Sequence, residues 1–597
     1  MGLAAVAAQA QTLNKEVVIN RDIEPAERAV TRPASVSPDV YMAPVPKHSL
    51  SPWEYRRTGQ LTRQLTVLDP AAYADTVART PYRGYASVGY LPAFNLGLSA
   101  GYRFIDTANS RVGAWLQYNG QSYHVNGANF LNTRNGEGQR SLSRNTLTVG
   151  ADASHKAGAG QIDAAVGLTY ARVGQPMYAY RQVIKEDDSF TQSATGFNLR
   201  VGYGSQASKT SPWRLGAKIG YFGFGDRLDN MLALADAIEN DLNYESKPAR
   251  QFTFGFDGGV AWHRNDHTLG LDIDMSFQHV NMTGQFTAAK DDRLIDGGAG
   301  ITRDPITLFV NNDSKTYGVT RFNPHYMFSR DVFTAVLGAN IDIATSGHSG
   351  LYIAPNAHVA YTPTQQFSVW GTATGGKRLN RLDALFAECP YMPSELTYSQ
   401  SSVIDGTVGA DFGPYKGVTV SAWVGVSKAG DWLMPSTVGA VNNYMYRDLK
   451  GAHYGAEVAY ANNWGRVAIK AQGATNGTDK EYYLWRDGAR YDVTASLTVK
   501  PTDALDITLD WNWRSGRHYS VYTPTALRVG DGSIPVWDIE RIGMGRISDL
   551  GLSAAYRLTG QFTITANLSN LMCRRWYVAP GVESARLNGL VGVAYKF

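Results

Sequence analysis

A chain of 597 residues with a formal charge of only +4 and no clustered basic stripe offers nothing that would hold nucleic acid. No stretch approaches the roughly 18–20 consecutive apolar residues that a spanning helix needs, so a helical membrane protein is excluded as well. The mean hydropathy of −0.26 matches a soluble protein, but strands with one apolar and one polar face average to the same neutral value.

Gly2 to Ala10 reads as the tail of a secretory signal peptide, with Ala8-Gln9-Ala10 as a small-x-small cleavage site and Gln11 as the first mature residue. The basic segment that precedes such a tail is missing, so the start is expected to be truncated or misassigned. No cysteine follows to carry a lipid. Residues 11–80 then differ from everything after them. Pro25, Pro33, Pro38, Pro44, Pro46 and Pro52 interrupt any helix or strand, and the charges follow no period. This predicts an extended segment, periplasmic or inside a lumen. Within it, Thr12–Asn20 has the make-up either of a short box that adds a strand to a partner or of an ordinary exposed tail.

From Gly84 onward the pattern is alternation with a period of two. Phe94, Leu96, Leu98, Ala100, Tyr102 and Phe104 take one face, and Asn95, Gly97, Ser99, Gly101 and Arg103 the other. Leu147, Val149, Ala151 and Ala153 repeat it, as do Ile162, Ala164, Val166 and Leu168. Later, Leu269, Leu271, Ile273, Met275 and Phe277 oppose Asp272, Asp274, Ser276 and Gln278. Leu505, Ile507, Leu509, Trp511 and Trp513 oppose Asp506, Thr508, Asp510, Asn512 and Arg514. The interior of a soluble barrel would be apolar. Charge on alternate residues of so many strands implies lipid outside and a wet lumen inside.

Short turns are predicted at Ile105–Ser110, Lys156–Gly160, His263–His267, Ser329–Asp331, Thr362–Gln365, Pro414–Gly417, Asn462–Gly465, Pro501–Ala504 and Leu558–Gln561. They alternate with longer connections near 123–141, 174–189, 225–248, 281–314, 375–397, 518–545 and 573–585. The expected fold is all-β: an antiparallel transmembrane barrel over residues 81–597 with an even number of strands, about 22 within a range of 18–22. Long loops would be extracellular and the C-terminus periplasmic. Gly84 to Phe104 reads either as one strand broken at Pro92 or as two, and the choice decides the parity. Two long connections carry helical spacing, Leu228, Met231, Leu232, Ala235 and Ile238 in one and Leu382, Leu385 and Phe386 in the other. Either could cap the mouth or fold into it, or its apolar face could simply pack on the barrel wall.

The chain closes on two more strands. Phe562, Ile564, Ala566 and Leu568 alternate with Thr563, Thr565, Asn567 and Ser569. Leu587, Val591, Val593, Tyr595 and Phe597 share a face with Gly589; Leu590 alone breaks the pattern of the other face. A barrel needs its last strand to pair with its first, and Val593, Tyr595 and Phe597 are the candidate C-terminal signal read by the barrel-assembly machinery. The run Asn567-Leu568-Ser569-Asn570-Leu571, then Tyr577, Pro580-Gly581 and Val593-Ala594-Tyr595-Lys596-Phe597, resembles the C-terminal end of TonB-dependent receptors. The strand and turn layout from about residue 80 resembles them more loosely. The resemblance implies uptake of a bulky ligand at the outer mouth, with energy delivered by a TonB-type protein. It also implies a globular plug, and here the sequence departs, because residues 11–80 are too few and too rich in proline for one. The expectation is a plugless relative embedded in outer-membrane lipid. It either transports, with residues 11–80 restricting the lumen, or serves as a non-transporting accessory subunit among other outer-membrane proteins.

No catalytic residue, cofactor or metal is predicted. His263 and His267 have ligand spacing only on a helix, and they fall in a turn. The carboxylates Asp272/Asp274 and Asp506/Asp510 could work as acid–base pairs or cation ligands. In a wet barrel they read as lumen lining balanced by Arg103, Arg514 and Lys596. Cys389 and Cys573 fall in predicted loops, and their spacing leaves pairing open. Trp432, Tyr444, Tyr446, Tyr482, Tyr483, Trp485, Tyr519, Tyr522 and Trp537 lie near strand ends or loops, where they would stack on a ligand, form an interface or simply pack.

Overall fold

In a computed structural model the alternating segments become strands of one closed sheet. The structure describes residues 82–92, 95–126, 139–175, 190–205, 211–225, 242–246, 249–281, 284–288, 310–311, 315–390, 399–438, 441–475, 489–529, 532–579 and 582–597. The signal-peptide tail, the proline-rich segment with Thr12–Asn20, the helical pattern at Leu228–Ile238, and Tyr482, Tyr483 and Trp485 lie outside those residues.

Twenty-two strands form the wall. They are β1 (Gly84–Leu91), β2 (Asn95–Asp106), β3 (Ser110–Asn126), β4 (Gln139–Ala157), β5 (Gly160–Gln175), β6 (Phe190–Ser205) and β7 (Trp213–Gly225). Next come β8 (Ala249–Arg264), β9 (His267–Asn281), β10 (Lys315–Arg330), β11 (Phe333–Thr345), β12 (Gly350–Thr364), β13 (Phe367–Leu379) and β14 (Gln400–Tyr415). The rest are β15 (Val418–Val438), β16 (Val441–Asn462), β17 (Gly465–Ala474), β18 (Tyr491–Thr502), β19 (Leu505–Ser515), β20 (Ile547–Arg557), β21 (Phe562–Ser569) and β22 (Asn588–Lys596). Each pairs antiparallel with the next, and β22 returns to β1 from Tyr85↔Lys596 to Tyr90↔Val591. Closure leaves the wall no open edge, as lipid requires.

The stretch Gly84 to Phe104 is two strands, turning at Pro92 with Leu91 opposite Asn95, so the number is even. All nine predicted short turns fall between wall strands at one end of the barrel. At Lys416 and Gly417, φ values of +48° and +84° give the left-handed pair that a two-residue hairpin turn needs. The long connections gather at the other end. Several of their predicted boundaries are corrected: the flanking strands enter 123–141 up to Asn126 and from Gln139, and short paired strands, Leu242–Ser246, Gly284–Ala288 and Val310–Asn311, lie within 225–248 and 281–314. Strand β13 continues to Leu379, and 518–545 holds a hairpin, His518–Val529 with Gly532–Gly543, rather than loop.

Outward side chains are large and apolar, with Leu351 66% and Val426 65% exposed. No described helix is long and apolar enough to cross a membrane; the strands do so. Near the short turns an aromatic belt crosses the closing seam: Phe562 lies 4.5 Å from Tyr595, Tyr595 5.8 Å from Phe597, and Phe597 stacks on Tyr102 at 6.1 Å. Leu590, the residue that broke the sequence pattern, turns inward and covers Gly89 and Gly97, where a Cβ would meet its side chain.

Candidate functional site: the lumen and the core at its mouth

Through the body of the barrel the lumen is lined by charges held in pairs. Arg214 on β7 reaches across β8 to Asp272 on β9 at 3.1 Å. Between them stands Gly259, at which a Cβ would strike the Asp272 carboxylate. Lys218 meets Asp257 at 3.0 Å, and Asp506 is held by Arg557 at 2.8 Å and Lys500 at 3.6 Å. Arg514 donates to the buried Asp492 at 3.1 Å. The strongest pair is Arg321 on β10 with fully buried Asp342 on β11, a two-pronged contact at 2.6 and 2.9 Å. The Lys377 amide donates to the same carboxylate, and the Arg321 guanidinium donates to the Lys377 carbonyl at 2.9 Å. This ties β10 and β11 to the top of β13.

Toward the long connections the inward face turns apolar. Helix α1 (Leu382–Glu388) rises from the connection between β13 and β14 and crosses to the far wall. Its sequence, LDALFAE, is made of good helix formers, with Asp383 in the first turn against the positive end of the dipole. Seven residues do not hold a helix alone. Leu382, Leu385 and Phe386, on one face, are buried among Leu142 on β4, Val173 on β5, Phe224 on β7 and Val280 on β9. The Phe386 ring packs on Phe222 and Phe224 at 5.4 and 5.2 Å. At about 1.5–3 kcal/mol per large apolar side chain, three such residues contribute roughly 5–9 kcal/mol toward seating the helix, as an upper bound.

Polar groups fix its start. No residue of α1 caps its own N-terminus; Gln251 on β8, five strands away around the wall, does so. Its Oε1 accepts the Leu382 amide at 2.5 Å, and its Nε2 donates to Asp383 Oδ1 at 3.0 Å. Arg381 grips the same carboxylate. Burial alone would push the Asp383 carboxyl up, but the Arg381 guanidinium, the Gln251 amide and the Ala384 N–H together hold it below the usual carboxylate range. Asn380 donates to the Ser399 carbonyl at 2.6 Å and to Ser401 Oγ at 2.7 Å, fastening the connection to β14.

Two further segments close over the helix. Beyond Gly430, β15 loses β14 as partner, and a bulge between Ala429 and Trp432 with Asp431 at φ +53° bends the β15–β16 hairpin. Leu433 and Tyr444 enter the same core as α1, while Trp432, Met434 and Leu449 form a second core beside it. The hairpin tip pairs in parallel with the first strand of the 518–543 hairpin, from Ser436↔Ser520 to Val438↔Tyr522. From the connection after β21, Val578 packs on the α1 core, and the Glu583 carbonyl accepts the Tyr123 hydroxyl at 3.1 Å. His348 gathers these parts: its Nδ1 lies 2.9 Å from Ser399 Oγ, its Nε2 3.4 Å from Asp431, and its ring meets Tyr446 edge-on.

The lumen residues singled out in the sequence all face inward, but their partners are not the predicted ones. Arg103 pairs with Asp106 and Arg514 with Asp492, while Arg214 and Arg557, which the pattern did not single out, hold Asp272 and Asp506. His263 and His267 leave opposite faces of the sheet. His263 lies 2.6 Å from Thr268 in the lumen, and His267 stacks on Tyr326 and Phe328 outside, so the two do not converge. No group of three His, Cys, Asp or Glu side chains that could hold a metal occurs among the described residues. Cys389 is buried in the α1 core and Cys573 is exposed; both are free thiols. Tyr446 and Tyr519 are packing residues, and Trp432 lies under the Arg378 guanidinium at 4.6 Å.

A closed, lipid-faced wall of 22 antiparallel strands around a wet lumen defines a large transmembrane β-barrel. No protein-family profile and no curated protein matches the sequence. Among solved structures the chain is similar to the FrpB iron transporter from Neisseria meningitidis, F3-3 variant (TM-score 0.62, 13% identity, 87% of this chain and 82% of that one). It is also similar to a mutant of the ferric enterobactin receptor PfeA from Pseudomonas aeruginosa (0.59, 11%, 86% and 80%). The siderophore receptor PirA from Acinetobacter baumannii is a third (0.59, 10%, 86% and 80%). At such identities the likeness is one of fold.

Proposed function

We propose that this chain is an outer-membrane uptake barrel whose mouth is held shut by its own connections and opens to admit a ligand. The observation that carries the reading is the apolar core in which α1, bridged to Gln251, joins opposite sides of the wall above a charged lumen. A static pore lining needs no such seal, and the seal uses the segments best placed to meet a ligand. In this reading the long connections are extracellular and the C-terminus periplasmic. Residues 11–80 restrict the lumen from below, and Thr12–Asn20 meets a TonB-type protein by strand addition. The fold likeness to FrpB, PfeA and PirA makes iron chelates the first ligand class to try.

The test is conductance in planar bilayers. The full chain should conduct little, and replacing 381–398 by a short flexible link should open a large, ohmic pore. An unchanged conductance would sink the gate. Removing residues 11–80 as well should widen the pore further if that segment lies in the lumen. A second reading, a non-transporting accessory subunit, draws on the same seal, since a mouth packed like a protein core also suits a barrel that never opens. Purification in mild detergent separates the two, because stoichiometric outer-membrane partners would favour the accessory subunit.

A further inference from the structure

The outer wall carries a charge arrangement that its own folding does not explain. Lys428 on β15 and Lys450 on β16 are direct cross-strand partners, so their side chains leave the same face of the sheet side by side. Both are exposed, and neither has a charged or aromatic partner among the described residues. The nearest acid on that face, Asp448, accepts the Asp431 backbone amide at 3.0 Å. Like charges directly opposite each other destabilise an antiparallel pair, so the wall on its own would be better off without one of them.

Their height on the wall indicates what sits there. The lysines share the lipid face with Val424, Val426 and Tyr454, all well exposed. Ten residues lower on both strands stand the cross-strand partners Val418 and Tyr460, at the aromatic level near the short turns. At about 3.3 Å per residue and a strand tilt of about 40°, that separation lifts the lysines about 25 Å, the height of the apolar band of a membrane barrel. The two ammonium groups therefore stand at the far headgroup border, over the end of an apolar strip.

We propose that Lys428 and Lys450 clamp the phosphate of an anionic membrane lipid, whose chains lie along Val424, Val426 and Tyr454. A phosphate between the two ammonium groups cancels their repulsion and supplies acceptors for both. The apolar strip directly below selects a lipid over a free anion, which gains nothing from it.

The test reconstitutes the full chain and its Lys428→Gln/Lys450→Gln variant in phosphatidylcholine nanodiscs, with or without lipid A as the phosphate-bearing probe. By native mass spectrometry, wild type should retain lipid A better than the variant by about fivefold for each lysine lost. The Lys428→Arg/Lys450→Arg variant should behave as wild type. In phosphatidylcholine alone the glutamine variant should melt no lower than wild type, because the repulsion is gone; with lipid A present, wild type should melt higher. Equal retention, or the same melting order in both lipids, overturns the clamp. Displacement of lipid A by inorganic phosphate overturns its assignment to a lipid. If the double variant fails to insert, Lys450→Gln alone gives the same reading at half the effect.

Discussion

The body of the lumen and its mouth are built from the same strands by opposite chemistry. Along the body, inward positions carry charges that meet across neighbouring strands, as in Arg214–Asp272 and Lys218–Asp257. A few residues higher on β5, β7 and β9 the inward positions become Val173, Phe224 and Val280, buried under α1. Exposed ion pairs leave a wall hydrated and are individually weak, whereas a buried apolar core excludes water and has one arrangement. The body therefore stays hydrated, whereas the core at the mouth holds α1 in a single packed arrangement.

Substitutions should separate the two zones by the size of their effects. Phe386→Ala removes the ring that packs on Phe222 and Phe224, at about 3–5 kcal/mol. The check is the labelling rate of Cys389, which lies in the same core and should become reactive while the strand content by circular dichroism is unchanged. Asp342→Ala should cost less, about 1–3 kcal/mol, because the Arg321 guanidinium that loses its carboxylate is about one-third exposed (32%) and keeps the Lys377 carbonyl. Here the loss should appear in global thermal melting, since the pair ties three strands. A result in which Phe386→Ala melts the wall, or Asp342→Ala frees only Cys389, would break the division.

Acid should act on the mouth with a smaller effect. Because the folded Asp383 carboxyl is held low, its contribution to seating α1 is complete above the usual carboxylate range and is lost as pH falls through the depressed value. Conductance should stay closed where ordinary carboxylates are half protonated and rise only at lower pH; opening at mildly acidic pH would refute the role of Asp383. Least of all, Arg214→Gln should change melting by about 0–1 kcal/mol, because its pair with Asp272 is largely exposed. Ion selectivity of an α1-deleted pore should shift toward cations in the same variant.

The wall was legible because lipid on one side and water on the other impose a period of two. Leu269 to Phe277 against Asp272 to Gln278 could be assigned to faces without any contact being known. The connection between Ser205 and Trp213 and the tight turn at 346–349 were missed, since each is brief beside the long strands it joins. Helix α1 was visible in the spacing of Leu382, Leu385 and Phe386, but its seat was not, because Gln251 and Phe224 lie far away in sequence. A signal for the seat did exist. At Tyr221-Phe222-Gly223-Phe224 and Ala171-Arg172-Val173 the inward positions turn apolar just before a long connection, which is where a loop folded inward needs partners. Which cation meets which carboxylate depends on registers and on gaps such as Gly259, and no pattern along one strand encodes that.

The seam between β1 and β22 also bears on how the barrel comes to exist. The Arg83 and Gly84 amides both donate to the Phe597 carbonyl, at 2.8 and 2.7 Å, joining residues from opposite ends of the described wall. No pairing is more distant along the chain, and contacts of that kind form late. Until it forms, every partly assembled sheet has two raw edges that will take any strand, including one from another copy. Closing this seam is what removes both edges at once. Phe597, exposed at the free edge until then, is where a helper could hold it.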